Sequence, residues 1–146
     1  MINSVINYAC RIIFVLAYPL FCRLERALGL RSDVAVVAVW HGDKLLVVRH
    51  SYRPGEALPG GSLKRGEAPA KGAAREIGEE VGIPVDPDEL TLLRAWTQRE
   101  GRRWLFEFRP AVLPKIVPDQ REVIAARLLP RSEIPAPISI MLEPGT

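Results

Sequence analysis

A proline at residue 69, a glycine at residue 82 and an apolar repeat between them mark out one helix, and no other segment constrains the fold as much. Proline suits a first helical position because its missing N–H would have no partner there. Glycine suits the position just past the end, where the chain turns left-handed. Ala73, Ile77 and Val81 recur at i, i+4 and i+8, so one face of a helix over 69–81 can pack on a core. On both sides of it the periodicity changes.

Val34 to Trp40 is rich in β-branched residues and reads as a buried strand. His41-Gly42-Asp43 reads as a tight turn, and Lys44 to Arg49 as the second strand of a hairpin. Pro54, Gly55, Pro59, Gly60 and Gly61 then break the pattern ahead of the helix. Leu90 to Trp96 is a further strand, and Gly101 sits at an expected turn. Arg103 to Arg109 alternates, with Trp104, Phe106 and Phe108 on one face and Leu105 and Glu107 on the other. Val123 to Leu129 is the last expected strand. The proline-rich end, with Pro130, Pro135, Pro137 and Pro144, shows no clear period. Strands before and after a central helix point to a mixed α/β (α+β) domain. The 146 residues suit one such domain.

The first thirty residues stand apart, which divides the chain into a hydrophobic N-terminal helical extension (1–31) and a domain (32–146). From Met1 to Cys22 the only charged side chain is Arg11. A helical reading puts Ile2, Ile6, Ala9, Ile13, Leu16 and Leu20 on one stripe. Asn3, Asn7 and Arg11, then Phe14 and Tyr18, lie opposite. Pro19 is expected to kink or end this helix. Three readings remain open: a helix docked on its own domain or on a second copy in a homodimer, peripheral contact with a membrane through residues 1–30, and a membrane span. A span would place Arg11 near its centre, at about 2.5–3.5 kcal/mol. A signal peptide would carry positive residues before its apolar core, and none precede Arg11. Arg23, Arg26 and Arg31 follow the segment and would suit an anionic surface.

The chemistry is concentrated on the central helix. Glu76, Glu79 and Glu80 are spaced i, i+3, i+4 and project from one face, where like charges repel. A divalent cation would compensate them, and carboxylate oxygens suit Mg²⁺ or Mn²⁺. The helix is weak by local propensity. Gly72 and Gly78 each cost about 1 kcal/mol relative to alanine, and Ala68 is a poor N-cap. Arg75 can reach Glu79 at i+4. Before the helix, Leu58-Pro59-Gly60-Gly61 forms a turn whose glycines let backbone approach a ligand closely.

Gly61, five residues, Glu67, seven residues, Arg75-Glu76-Ile77-Gly78-Glu79-Glu80-Val81-Gly82-Ile83 resembles a complete Nudix box, with every defined position met. The strand order from Val34 to about Ile134 also resembles a Nudix domain. The resemblance implies an α/β/α sandwich around a mixed sheet. It implies a divalent-metal-dependent hydrolase that cleaves a diphosphate linkage in a nucleoside diphosphate derivative, with water attacking phosphorus. By position, Glu76, Glu79 and Glu80 carry over as metal ligands, with the Gly61 carbonyl as a further ligand. Arg75 and Glu67 carry over as organisers. Among Glu79, Glu76 and Arg75, assigned to catalysis, Glu79 is the favoured general base. An acidic residue after the box is expected to join the metal site; Glu122 is first choice and Asp119 second.

Substrate contacts are expected from Gly60 and from Arg49, Tyr52 and Arg53, near His50. Tyr52 could stack on a base and Arg53 could bind phosphate. Arg99, Arg102 and Arg103 could do likewise. Trp40, Trp96 and Trp104 read as core or rim. A net charge of +3 favours a small anionic, nucleotide-type substrate but is too weak to imply nucleic-acid binding. Cys10 and Cys22 have no metal-ligand spacing, and two lone thiols fit a reducing, cytoplasmic setting. Two alternatives stand beside the hydrolase. One is a non-catalytic nucleotide-binding module, which loss of box glutamates would favour. The other is an isoprenoid diphosphate isomerase, which needs a cysteine near the early strands; both cysteines lie too early.

Overall fold

The computed structural model describes residues 2–29 and 31–143. Pro144 and the side chains of Ile2 and Arg26, named above, lie outside the described residues. Alternating and continuous apolar runs become six strands: β1 (Val34–His41), β2 (Lys44–His50), β3 (Gly60–Ser62), β4 (Thr91–Gln98), β5 (Gly101–Phe108) and β6 (Val123–Pro130). Three helices join them: α1 (Ile2–Leu28), α2 (Pro69–Val81) and α3 (Ala136–Leu142). The sheet runs β4-β5-β1-β2-β6, with β3 beside β1. β1 and β5 are parallel from Val34↔Arg103 to Val39↔Phe108, and the other pairs are antiparallel, so the sheet is mixed.

The site is positioned by a divergence within the sheet. β1 and β2 pair only at the hairpin, at Trp40↔Leu45 and His41↔Lys44. Further along, β3 replaces β2 beside β1, from Val36↔Gly60 to Val34↔Ser62. The Val37 N–H donates to the Pro59 carbonyl at 2.9 Å, which closes the join. β2 meanwhile follows β6 out to His50↔Val123, with a bulge between Arg49 and His50. The ends of β2 and β3 and the start of β6 therefore lie together beside α2.

Both faces of the sheet are covered, which is why β1 and β2 read as nearly unbroken apolar runs. On one face Val37, Val39, Leu46, Val48 and Phe106 pack against Ala73, Ile77 and Val81 of α2. On the other, Ala38, Trp40, Leu45 and Leu105 pack with Ile138 of α3. The result is the α/β/α sandwich expected from the sequence. β5 divides its residues as its alternation predicts, with Phe106 and Phe108 to the first layer and Leu105 to the second.

The bounds of α2 are those marked by Pro69 and Gly82. Ala68 makes no side-chain cap, and Gly82 takes a left-handed φ of 69° while its N–H bonds to the Gly78 carbonyl. Gly72 is needed where it stands, because a Cβ there would collide with the Leu63 side chain and come within 2.9 Å of Glu67 Oε2. Gly78 has no such constraint; the nearest atom to a Cβ would be the Ile83 carbonyl at 3.9 Å.

Two expectations are corrected, and the segment without a clear period takes shape. Pro19 does not end α1, which runs nine residues past it, from Pro19 to Leu28. Its missing N–H frees the Val15 carbonyl, and both residues lie on the solvent side, so water can satisfy the orphan acceptor. Gly101 is not in the turn; Arg99 and Glu100 form a two-residue turn, and Gly101 begins β5 opposite Gln98. The proline-rich end also holds α3, with its prolines at and before the first turn, where they cost no hydrogen bond.

Candidate active site

The three helix carboxylates do not share one environment. The side chain of Glu80 is 3% exposed, that of Glu76 14% and that of Glu79 59%, so they run from the core edge to solvent. Glu80 accepts from the Gly60 N–H at 2.8 Å through Oε2 and meets His50 Nε2 at 3.1 Å through Oε1. Gly60 holds a φ of 140° and lies so close to β1 that a Cβ would meet the Ala35 carbonyl oxygen. Glu76 lies against the next residue, since a Cβ on Gly61 would be 2.7 Å from its carboxylate. The box loop and box helix are thus joined through two glycines and two glutamates.

Arg75 gathers the acids. Its guanidinium donates to Glu67 at 2.9 and 3.0 Å, to Glu76 at 2.7 Å, to Glu79 at 3.1 Å and to the Ser62 carbonyl at 3.1 Å. Glu67 also accepts from the Lys64 N–H at 2.9 Å. Arg75 and that backbone bond hold the Glu67 carboxyl down to about 2. Arg75 and Glu67 therefore tie the loop to the helix.

His50 lies at the centre of the cluster. Arg53 Nε donates to its Nδ1 at 3.3 Å. A guanidinium can only donate, so Nδ1 is the acceptor and the proton sits on Nε2, which donates to Glu80. Glu122 joins from the start of β6, and the ligand atoms of His50, Glu80 and Glu122 all lie within 4.8 Å of one another. Tyr52 donates to Glu122 at 2.8 Å. Burial, then the charge of Glu122, push the Tyr52 hydroxyl up, so it stays a donor. Asp119 does a different job. Its carboxylate accepts from the N–H groups of Arg121, Glu122 and Val123 at 3.2, 3.2 and 2.8 Å, shaping the loop that presents Glu122.

These residues suit a divalent cation. Glu76 and Glu80 are pushed up chiefly by burial, and neighbouring carboxylates push the same way: Glu80 and Glu79 on Glu76, Glu122 on Glu80. Half-buried like charges at this spacing call for a positive counter-charge. Glu80 and Glu122, beside His50, bring carboxylate oxygens within 4.8 Å of one another, and carboxylate oxygen is the donor that Mg²⁺ or Mn²⁺ prefers.

The substrate expectations fare less evenly. Strand residues alternate in direction, so with His50 turned to the cluster, Arg49 faces away and lines a small pocket with Glu56, Ala125 and Arg127. Tyr52 does not present a free ring, being packed by Tyr18 at 4.3 Å and Phe14 at 6.0 Å, both from α1. Arg102 is paired with Asp33 at 3.1 Å. Arg103 donates to the Ser32 carbonyl at 2.7 Å. Arg103 and Arg99 nonetheless line a groove of about 310 Å³ with Tyr18, Phe21, Cys22 and Ser62, between α1 and the box loop. Both cysteines sit on α1, outside the His50–Glu80–Glu122 cluster, and are unpaired.

A family model for the NUDIX domain matches residues 29–143, and this chain belongs to that family. A MutT-like protein from Streptomyces ambofaciens is 40% identical over 79 residues, which is 54% of this chain and 51% of that protein. The chain thus spans about half the length of that curated relative. Among solved structures, a MutT NUDIX hydrolase from Burkholderia pseudomallei superposes with a TM-score of 0.60 at 18% identity, covering 73% of this chain and 88% of that one. A bifunctional NMN adenylyltransferase/ADP ribose pyrophosphatase from Francisella tularensis, complexed with AMP and a manganese ion, gives 0.55 at 23% identity, covering 70% of this chain and 35% of that one. These likenesses show the fold.

Proposed function

We propose that this chain is a divalent-metal-dependent pyrophosphohydrolase acting on a nucleoside diphosphate derivative: a nucleoside triphosphate, a dinucleotide or a nucleotide sugar. The observation that carries it is the convergence of the box carboxylate Glu80 with His50 and with Glu122, which lies forty-two residues after Glu80 in the chain and folds back onto it. Every acid the chemistry needs is present, which weighs against a non-catalytic module. The AMP and manganese bound by the Francisella protein fit the same reading.

Glu76, Glu79, Glu80, Glu122 and the Gly61 carbonyl would hold Mg²⁺ or Mn²⁺. The metal would neutralise phosphate charge and lower the pKa of attacking water. Glu79 is the one helix carboxylate open to solvent, so it can take a proton from water at phosphorus and return it to bulk. Arg75 keeps that carboxylate oriented. His50 and the Gly60 N–H hold Glu80 in place. Arg53, at the cleft margin, and Arg99 and Arg103, in the groove beside Ser62, are the cations to meet phosphates or the leaving moiety. We take residues 32–146 as the catalytic unit, 1–31 as an extension, and the two unpaired thiols as fitting a cytoplasmic substrate pool.

The test is product release from a panel of nucleoside triphosphates, dinucleotides, ADP-ribose and nucleotide sugars, with Mg²⁺, Mn²⁺ or chelator. Turnover of at least one substrate that disappears with chelator supports the proposal. Tight nucleotide and metal binding without turnover on any panel member contradicts it.

A further inference from the structure

α1 is docked the wrong way round for a helix of a water-soluble domain. A surface helix ordinarily turns its apolar stripe to the core and its polar residues to water. Here the half-buried positions are Asn7, Cys10, Arg11, Phe14, Tyr18 and Cys22, one seam along the helix. The seam is bound to the domain by polar contacts. Arg11 donates to the Gln120 carbonyl at 2.8 Å and to its Oε1 at 2.9 Å, and Arg121 donates to Asn7 Oδ1 at 3.1 Å. At 100° per residue, Val5, Ile12, Ile13, Leu16 and Leu20 lie opposite, on an arc of about 100°. They are 44–71% exposed. The stretch Asn3–Leu24 has a mean hydropathy of 1.8 and none of it is buried.

We propose that α1 lies in the surface of an anionic lipid bilayer, its apolar arc in the acyl boundary and its polar seam holding the domain against that surface. Three observations favour lipid over other occupants. The apolar arc is wide, and with the flanking Tyr8, Ile6 and Leu24 it reaches about 160° over about 29 Å of helix, with Arg23 entering it only at the C-terminal end. A second helix covers only a narrow seam, whereas a lipid phase covers the whole arc. Arg23 and Arg31 are both exposed at the end of the segment, where they can meet anionic headgroups. Crossing the bilayer is disfavoured because Arg11 and Asn7 are tied to the loop that presents Glu122, which keeps the helix flat along the domain. The site would then open beside the membrane, with Tyr18 of α1 packed on Tyr52 and Tyr52 bonded to Glu122. The proposal does not depend on the catalytic reading.

The full chain is floated with phosphatidylcholine vesicles and with phosphatidylcholine–phosphatidylglycerol vesicles. The Leu16→Glu/Leu20→Glu double variant is run beside it. Ile140→Glu, at an exposed apolar position of α3, is the control. Circular dichroism establishes that each variant is folded; all three positions face solvent. Binding that is stronger on anionic vesicles, falls at least tenfold in the double variant, stays unchanged in Ile140→Glu, and is released by alkaline carbonate supports the proposal. Absence of vesicle binding, with a dimer in sedimentation that the double variant breaks, would assign the arc to a second copy and overturn it. Resistance to carbonate extraction would overturn it in favour of a span, and equal binding by parent and double variant would also count against it.

Discussion

Replacing His50 by alanine isolates what the buried hydrogen-bond relay does. In the folded protein Arg53 fixes the tautomer of His50, and His50 donates to a Glu80 carboxylate that is 3% exposed. Alanine removes that donor and leaves Glu80 with only the Gly60 N–H. A buried acceptor left unpaired costs about 1–3 kcal/mol, and the space vacated by the ring adds to it, so unfolding in urea with chelator should show a loss of about 2–4 kcal/mol. Glu80 can relieve part of this by taking a proton, since burial already pushes it up and His50 was the main influence pulling it down. The loss should therefore be smaller near pH 5 than near pH 8. Loss of a partner that orients a ligand lowers metal affinity by about 10–100-fold, or about 1.4–2.7 kcal/mol, measurable as Mn²⁺ binding by calorimetry. His50→Gln keeps an N–H donor and should recover much of both. If His50→Ala unfolds within about 0.5 kcal/mol of the parent and binds Mn²⁺ equally well, the relay has no energetic role and the reasoning fails.

Three further predictions follow from the same geometry. Gly60→Ala places a Cβ against the Ala35 carbonyl oxygen and 2.6 Å from Val36 Cα, at a φ of 140°. It should lower stability by about 3 kcal/mol or more in denaturant unfolding, because the β1–β3 join and the Glu80 anchor move together. Gly78→Ala meets nothing nearer than 3.9 Å and removes a mid-helix glycine, so the midpoint should rise by about 0.5–1 kcal/mol equivalent; a fall would mean the position is constrained in a way the contacts do not reveal. Burial holds Glu76 and Glu80 above the usual 4.5, so in the metal-free protein their stabilising contribution is complete below that value and is lost as pH rises through their folded pKa values. Glu67, held at about 2 by Arg75, acts oppositely, its contribution being present above 4.5 and lost as pH falls towards 2. Because metal binds the ionised carboxylates, the rise in Tm on adding Mn²⁺ should grow between about pH 5 and pH 8, and a rise that is flat or reversed with pH would count against those carboxylates as ligands.

What could be read from the sequence was what is local. α2 begins and ends where Pro69 and Gly82 place it, because backbone preferences act within a turn. The spacing of Glu76, Glu79 and Glu80, and the reach of Arg75 to Glu79, also follow from helix geometry alone. Glu122 could be chosen over Asp119 by its place before a strand, and Asp119 is instead occupied with backbone N–H groups. The role of His50 was not legible, since its partner Glu80 lies thirty residues away and only the divergence of β1 and β2 brings them together. Strand alternation could have warned that Arg49 and His50 face opposite ways. β3 is three residues long and carries two glycines, so no period announces it. α1 was legible as a helix but not in its orientation, because its polar seam is satisfied by Gln120 and Arg121, over a hundred residues on.

The central claim is that these carboxylates hold a divalent cation for attack on a diphosphate. It is tested most directly by kcat on the best panel substrate for the parent and Glu79→Gln, with Mn²⁺ and with chelator, and with Mn²⁺ affinity measured on both proteins. The account predicts turnover only with metal and a fall of about 10²-fold or more in Glu79→Gln while the fold persists. Turnover that survives chelator, or a Glu79→Gln variant as active as the parent, would contradict it.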